Sequence, residues 1–143
     1  MKIALAADHG GFELKEKVKV YLQEKGHDAL DLGCHTDESV DYPGYGKACG
    51  EAVMRGDAER GIVVCGTGIG ISIAANKVKG IRCALCTNPF MAEMSRKHNN
   101  ANMLALGGRI LEHDFALGIV DVWLATEFEG GRHQRRVDLL DSM

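Results

Sequence analysis

The run Cys65-Gly66-Thr67-Gly68-Ile69-Gly70 is where the chain concentrates groups able to do chemistry. Three glycines at alternate positions let the backbone approach a ligand closely and turn several N–H groups into one space. Such an array holds a phosphate or the oxygen of a developing oxyanion. Cys65 stands at its mouth. Helix N-termini and nearby cations pull a thiol below its reference pKa of about 8.5, which makes a thiolate available as nucleophile or base. The competing reading is a plain strand-to-helix turn after a buried strand cysteine. The loop is not a dinucleotide fingerprint, because Ile71 occupies the third glycine position of G-x-G-x-x-G and no acidic partner follows at a later strand end. A G-x-x-x-x-G-K-[ST] loop is also missing.

His98, in Arg96-Lys97-His98-Asn99-Asn100, suits proton transfer, since a reference pKa of about 6.5 lies close to working pH. A surface residue or helix cap is the alternative. His9 beside Asp8 reads either as a catalytic pair or as turn chemistry. Arg132 and Arg136 stand four apart; on a helix their guanidinium groups share one face, the arrangement for a multidentate phosphate grip. Otherwise they belong to a solvated basic tail. The six histidines look scattered, with no H-x-x-x-H or H-E-x-x-H and no second cysteine pair at zinc-finger spacing. The expectation is therefore no metal and no cofactor.

These residues need a scaffold. Lys2–Ala7 reads as a strand ending at Asp8-His9-Gly10-Gly11. Phe12, Leu14, Val18, Tyr21 and Leu22 then recur at helical spacing until Gly26. Asp28–Leu32 is a second strand, Gly33–Gly44 a polar turn-rich stretch, and Tyr45–Arg55 a helix. Gly61–Cys65 is continuously apolar, as a strand covered on both faces should be. A helix over Ile71–Lys77, a strand over Ile81–Cys86 and a helix over Asn88–His98 follow, with Asn88 as N-cap and Pro89 at the first helical position. A fifth strand over Asn102–Leu106, a helix over Glu112–Leu124 and a basic tail from Gly130 complete the chain. Alternating β and α elements imply an α/β fold with a parallel sheet and helices on both faces. Ligands in such sheets sit beyond the carboxyl ends of the strands. Asp8-His9, Cys65-Gly66-Thr67 and Gly107-Gly108-Arg109 all follow strand ends, so they can share one edge.

The bulk numbers agree. A chain of 143 residues, 45% hydrophobic and 26% charged, suits one domain over 1–143 with no linker or repeat. A net charge of −3 gives no reason to expect nucleic acid or an anionic membrane as partner. The first residues read as a strand rather than a signal peptide, and no apolar run is long enough to span a bilayer. Five cysteines, an odd count without regular spacing, point to reduced thiols and a cytoplasmic location. Cys83-Ala-Leu-Cys86 matches C-x-x-C but lies in an apolar stretch, so buried strand residues are expected over a redox pair.

Taken together, five segments resemble one family, ribose-5-phosphate isomerase type B, in the wider group with galactose-6-phosphate and allose-6-phosphate isomerases. They are Ala7-Asp8-His9-Gly10-Gly11, Val40-Asp41-Tyr42-Pro43, the block from Cys65 to Lys77, Ser95-Arg96-Lys97-His98-Asn99, and Glu129-Gly130-Gly131-Arg132-His133. The resemblance implies a Rossmann-like three-layer sandwich with a five-stranded parallel sheet. It implies a homodimer with composite active sites, open to pairing into tetramers, and a place in pentose phosphate metabolism. By resemblance Cys65 is the base that moves a proton between C2 and C1. Thr67 and the amides of Gly66, Gly68, Ile69 and Gly70 hold the enediolate oxygens. His98 assists ring opening, Asp8 binds hydroxyls and shuttles protons, and Asn99 contacts the sugar. His9, Arg109, Arg132 and Arg136 anchor the phosphate. Tyr42 lies in a matching segment without an assigned role. Open alternatives are a six-carbon aldose 6-phosphate as substrate, a non-catalytic sugar-phosphate binding module, and a thiol redox protein.

Overall fold

The computed structural model describes residues 1–143. Five strands, β1 (Lys2–Ala7), β2 (Asp28–Asp31), β3 (Arg60–Cys65), β4 (Cys83–Leu85) and β5 (Met103–Gly107), form one sheet in the order β2-β1-β3-β5-β4. All neighbours are parallel. The helices are α1 (Phe12–Glu24), α2 (Tyr42–Met54), α3 (Ile69–Asn76), α4 (Pro89–Lys97), α5 (His113–Ala125) and α6 (Arg132–Asp141). None is long and apolar enough to cross a membrane.

The period-2 alternation of strand side chains divides the core into two layers. Ile3, Leu5, Ile62, Val64, Leu104 and Leu106 pack with Leu14, Val18, Ala92, Ile119 and Trp123 of α1, α4 and α5. Ala4, Ala6, Val63, Cys65, Met103 and Ala105 face Cys49, Ala52, Ile71 and Ala75 of α2 and α3. The expected three-layer sandwich is therefore present, and its second layer is made of smaller residues. There α2 approaches β1 and β3 more closely than α1 does on the other side. Helix meets helix closely as well: a methyl on Gly46 would lie 2.9 Å from the Ile71 carbonyl oxygen.

Four elements differ from the sequence expectation by more than one residue at an end. Helix α2 starts at Tyr42, inside the stretch read as turns, with Pro43 in its first turn where a missing N–H costs nothing. Strand β4 pairs only over Cys83–Leu85, because it lies at the sheet edge with β5 as its single neighbour. Helix α3 begins at Ile69 rather than Ile71, directly after the glycine turn. The basic tail is the helix α6, which buries only His133 and Val137. The expected Asn88 cap is in place, its side chain accepting the Met91 N–H at 2.9 Å.

Candidate active site

The chain runs from β1 to β2 on one side and crosses to β3 on the other, so the strand order reverses between the carboxyl ends of β1 and β3. That crevice is where ligands bind in open α/β sheets. Asp8 and Cys65-Gly66 lie on its two sides, and the backbone ties them together: Asp8 N–H donates to the Val64 carbonyl at 3.3 Å and Gly108 N–H to the Cys65 carbonyl at 2.8 Å.

Cys65 is 5% exposed, and its Sγ accepts the Gly68 N–H at 3.1 Å. An amide aimed at the sulfur complements negative charge there. Gly68 is the N-cap of α3 with φ of 81°, a conformation that disfavours any side chain. A Cβ at this position would also sit 2.6 Å from Leu85 Cδ1 and 2.8 Å from the Leu106 carbonyl carbon, so the loop is pressed onto β5. Thr67 Oγ1 accepts the Ile69 N–H at 3.2 Å. The amides of Gly70 and Ile71 fall in the first turn of α3, where no carbonyl precedes them within the helix. The result is a set of fixed dipoles pointing out of the sheet beside one thiol.

Asp8 is buried and uses Oδ1 for the Gly10 and Gly11 N–H groups at 2.9 and 3.1 Å; Oδ2 has no partner within the chain. His9 Nδ1 accepts the Val40 N–H at 3.2 Å, which leaves Nε2 as the donor of the ring. Arg109 N–H donates to the Gly66 carbonyl at 2.9 Å. Its side chain lies across the same crevice, since a methyl on Gly10 would come within 3.4 Å of Arg109 Cζ and 3.0 Å of Gly66 N. The Tyr42 ring covers Gly70, where a Cβ would meet the ring at 2.7 Å. One edge thus gathers Asp8, His9, Tyr42, Cys65, Gly66, Thr67, Gly68, Ile69, Gly70 and Arg109.

The other expected residues lie at the opposite end. Helix α4 runs back along the sheet, so His98 and Asn99 lie where β5 begins, while α6 packs near the same end through Arg82–Asp141 at 2.7 Å. A strand of this length spans about 17 Å, so His98, Asn99, Arg132 and Arg136 do not meet Cys65 within one chain. Arg132 and Arg136 do lie on a helix, as a shared face requires. The histidines, scattered in sequence, are partly brought together: His98 and His133 stack with centroids 4.3 Å apart and planes 13° from parallel. Glu129 Oε1 lies 3.3 Å from His133 Nε2 and 3.9 Å from His98 Nε2. Parallel rings aim their in-plane lone pairs side by side instead of at one point, which makes a stack rather than a ligand set. Glu129 and His133 had no role assigned from the sequence, because only the fold closes the gap between them and His98.

The remaining thiols are set up for inertness. Burial pushes Cys49 up to about 12 and Cys86 up to about 11, and also raises Cys34 and Cys83. All five cysteines are unpaired, and Cys83 is half-buried rather than buried as expected.

Residues 3–140 match the family described as Ribose/Galactose Isomerase. The chain belongs to that family. It is similar to ribose-5-phosphate isomerase B of Escherichia coli, 46% identical over 99% of this chain and 95% of that protein. Among solved structures, Clostridium thermocellum ribose-5-phosphate isomerase B superposes with a TM-score of 0.98 at 56% identity, covering 99% of this chain and 96% of the other. The Mycoplasma genitalium ribose-5-phosphate isomerase B with bound ribulose 5-phosphate superposes with a TM-score of 0.94 at 40% identity, covering 99% and 94%. Membership of the ribose/galactose isomerase family bears out the resemblance drawn from the motifs, and the Rossmann-like sheet is the fold these structures share.

Proposed function

We propose that the chain interconverts ribose 5-phosphate and ribulose 5-phosphate as a cytoplasmic, metal-free homodimer whose sites join the carboxyl edge of one subunit to the α4–α6 end of the other. The single observation carrying this reading is the Gly68 N–H directed at Cys65 Sγ beside a helix N-terminus. A carbon acid gives up its proton only where a base and a stabiliser of the resulting oxyanion converge. Cys65 takes the C2 proton of the open-chain aldose, and the electron pair moves through C1 onto the carbonyl oxygen. Amides of the Gly66–Gly70 loop hold the enediolate oxygens, each such donor contributing about 3 kcal/mol. Asp8 moves a proton between O1 and O2, and Cys65 returns its proton to C1. His9, Arg109, Arg132 and Arg136 grip the phosphate, whose binding energy orients the reacting carbons. Asn99 contacts the sugar, and His98 opens its ring.

The distance between the two clusters supports the dimer, since a symmetric pairing lets each edge meet its complement from another copy. Two inactive variants, Cys65→Ala and His98→Ala, are expected to regain about a quarter of wild-type activity when their subunits exchange at random, because half the dimers are mixed and each carries one whole site. Failure to regain activity after verified exchange removes the composite site. A panel of five- and six-carbon aldose phosphates, assayed with a chelator, tests substrate and metal independence. Binding without turnover on every sugar would leave a binding module instead.

A further inference from the structure

The stack at the far end of the sheet has one buried ring and one accessible ring. His133 is 7% exposed, whereas the His98 side chain is 41% exposed. The buried ring is fixed on two sides, by the imidazole stacked against it and by Glu129, whose Oε1 lies 3.3 Å from Nε2. Glu129 is held in turn, its N–H donating to the Lys97 carbonyl at 3.1 Å. Arg96 clamps the same turn through the carbonyls of Thr126 at 3.1 Å and Ala101 at 2.8 Å and through Asn100 Oδ1 at 2.9 Å.

We infer that His133, held beside Glu129, is a positioning residue that keeps the His98 ring in the direction needed for opening a cyclic sugar. This rests on the isomerase reading above. Ring opening breaks the bond between C1 and the ring oxygen; His98 gives its proton to that oxygen, C1=O forms, and the C1 hydroxyl proton passes to the Asp8 carboxylate. A half-exposed imidazole at a helix end has several rotamers of similar energy, and a parallel ring 4.3 Å away removes most of them. Two stacked imidazolium rings repel each other. Burial lowers the proton affinity of His133, with His98, Arg132 and Arg136 acting in the same direction and Glu129 against them. The charged groups facing the pair are Glu129 from the loop, Arg132 and Arg136 from α6, and Lys97, next to Glu129, from α4.

The ketose 5-phosphate has no free hydroxyl on C5 and cannot close a furanose ring. Exchange of its C1 hydrogen with D2O, followed by NMR, thus reports enolisation without ring chemistry, whereas conversion of ribose 5-phosphate requires both. For His133→Ala we expect conversion to fall at least about tenfold, as loss of an aligned group does, with exchange within about twofold of wild type. Glu129→Gln, a change at an exposed side chain, is expected to lower conversion by a smaller factor. It should also move the alkaline limb of the conversion profile to lower pH, because a carboxylate that favours the protonated pair is gone. Unchanged conversion in both variants, or exchange falling in step with conversion, overturns the inference. A wild-type chain showing neither exchange nor conversion overturns the isomerase reading itself.

Discussion

The two ends of the sheet are built by opposite means. At the carboxyl edge the working groups are backbone amides and short side chains locked onto strand ends: the Gly68 N–H, the Cys65 thiol, the Asp8 carboxylate. At the other end they are rings and long side chains on helix termini, held by further side chains such as Arg96 and Glu129. The division fits the proposed tasks. Charge appearing on a sugar oxygen needs dipoles already in place, because reorientation during the reaction would raise the barrier. Gripping a phosphate needs reach and several donors, which arginine supplies.

If the comparison holds, damage to the amides and thiol of the first edge lowers kcat, whereas damage to the arginines of the second raises KM. Cys65→Ala is expected to have the largest effect, a loss of about a thousandfold or more in kcat, with an unchanged melting temperature. A variant with normal turnover would dismiss the thiolate as base. Gly68→Ala comes next, since its φ of 81° and the Cβ approach of 2.6 Å to Leu85 both oppose a side chain. We expect it to destabilise the fold by about 1–3 kcal/mol and to reduce kcat by about a hundredfold; denaturation and steady-state kinetics check both. Arg132→Ala should raise KM for the phosphorylated sugar by about tenfold or more with a smaller change in kcat. A kcat loss without a KM change would blur the division between the ends.

The smallest effect concerns pH. Burial by itself would raise the Asp31 carboxyl, but hydrogen bonds from Lys15, the Gly33 N–H and Lys19 outweigh it and hold the group below its ordinary 3.8. A carboxyl depressed in the folded state adds stability above its unfolded value, and that share is lost as pH falls through the depressed one. Denaturation at neutral pH and near pH 3, compared with Asp31→Asn, should show the wild type losing more stability in acid. Since Asp31 fastens the Gly33 turn that pairs with Ala7, the loss should loosen the carboxyl edge.

The scaffold was legible because its signals are local. Gly61–Cys65, the Gly26 stop and the Asn88-Pro89 cap each state their structure within a few residues, and strand ends then fix one working edge. Three things were not legible. Helix α6 carries too few apolar residues to show a period, because only His133 and Val137 face inward. The start of α2 contains two glycines and a proline, poor helix formers, and is carried by close packing on α3 through Gly46. The distribution of site residues between two ends depends on β5 inserting between β3 and β4, a choice that no single segment encodes. The pairing of His98 with His133 shares that origin.

The unequal layers also bear on how this chain can change. Where Ala4, Ala6 and Ala105 face α2 and α3, an added methylene has nowhere to go, so drift there is confined to exchanges among small residues. Where Leu5, Leu104 and Leu106 meet Trp123, other bulky combinations can be tried as long as the volume is kept. A lineage carrying this architecture would therefore vary freely behind one side of the sheet and stay nearly frozen behind the side on which Cys65 lies.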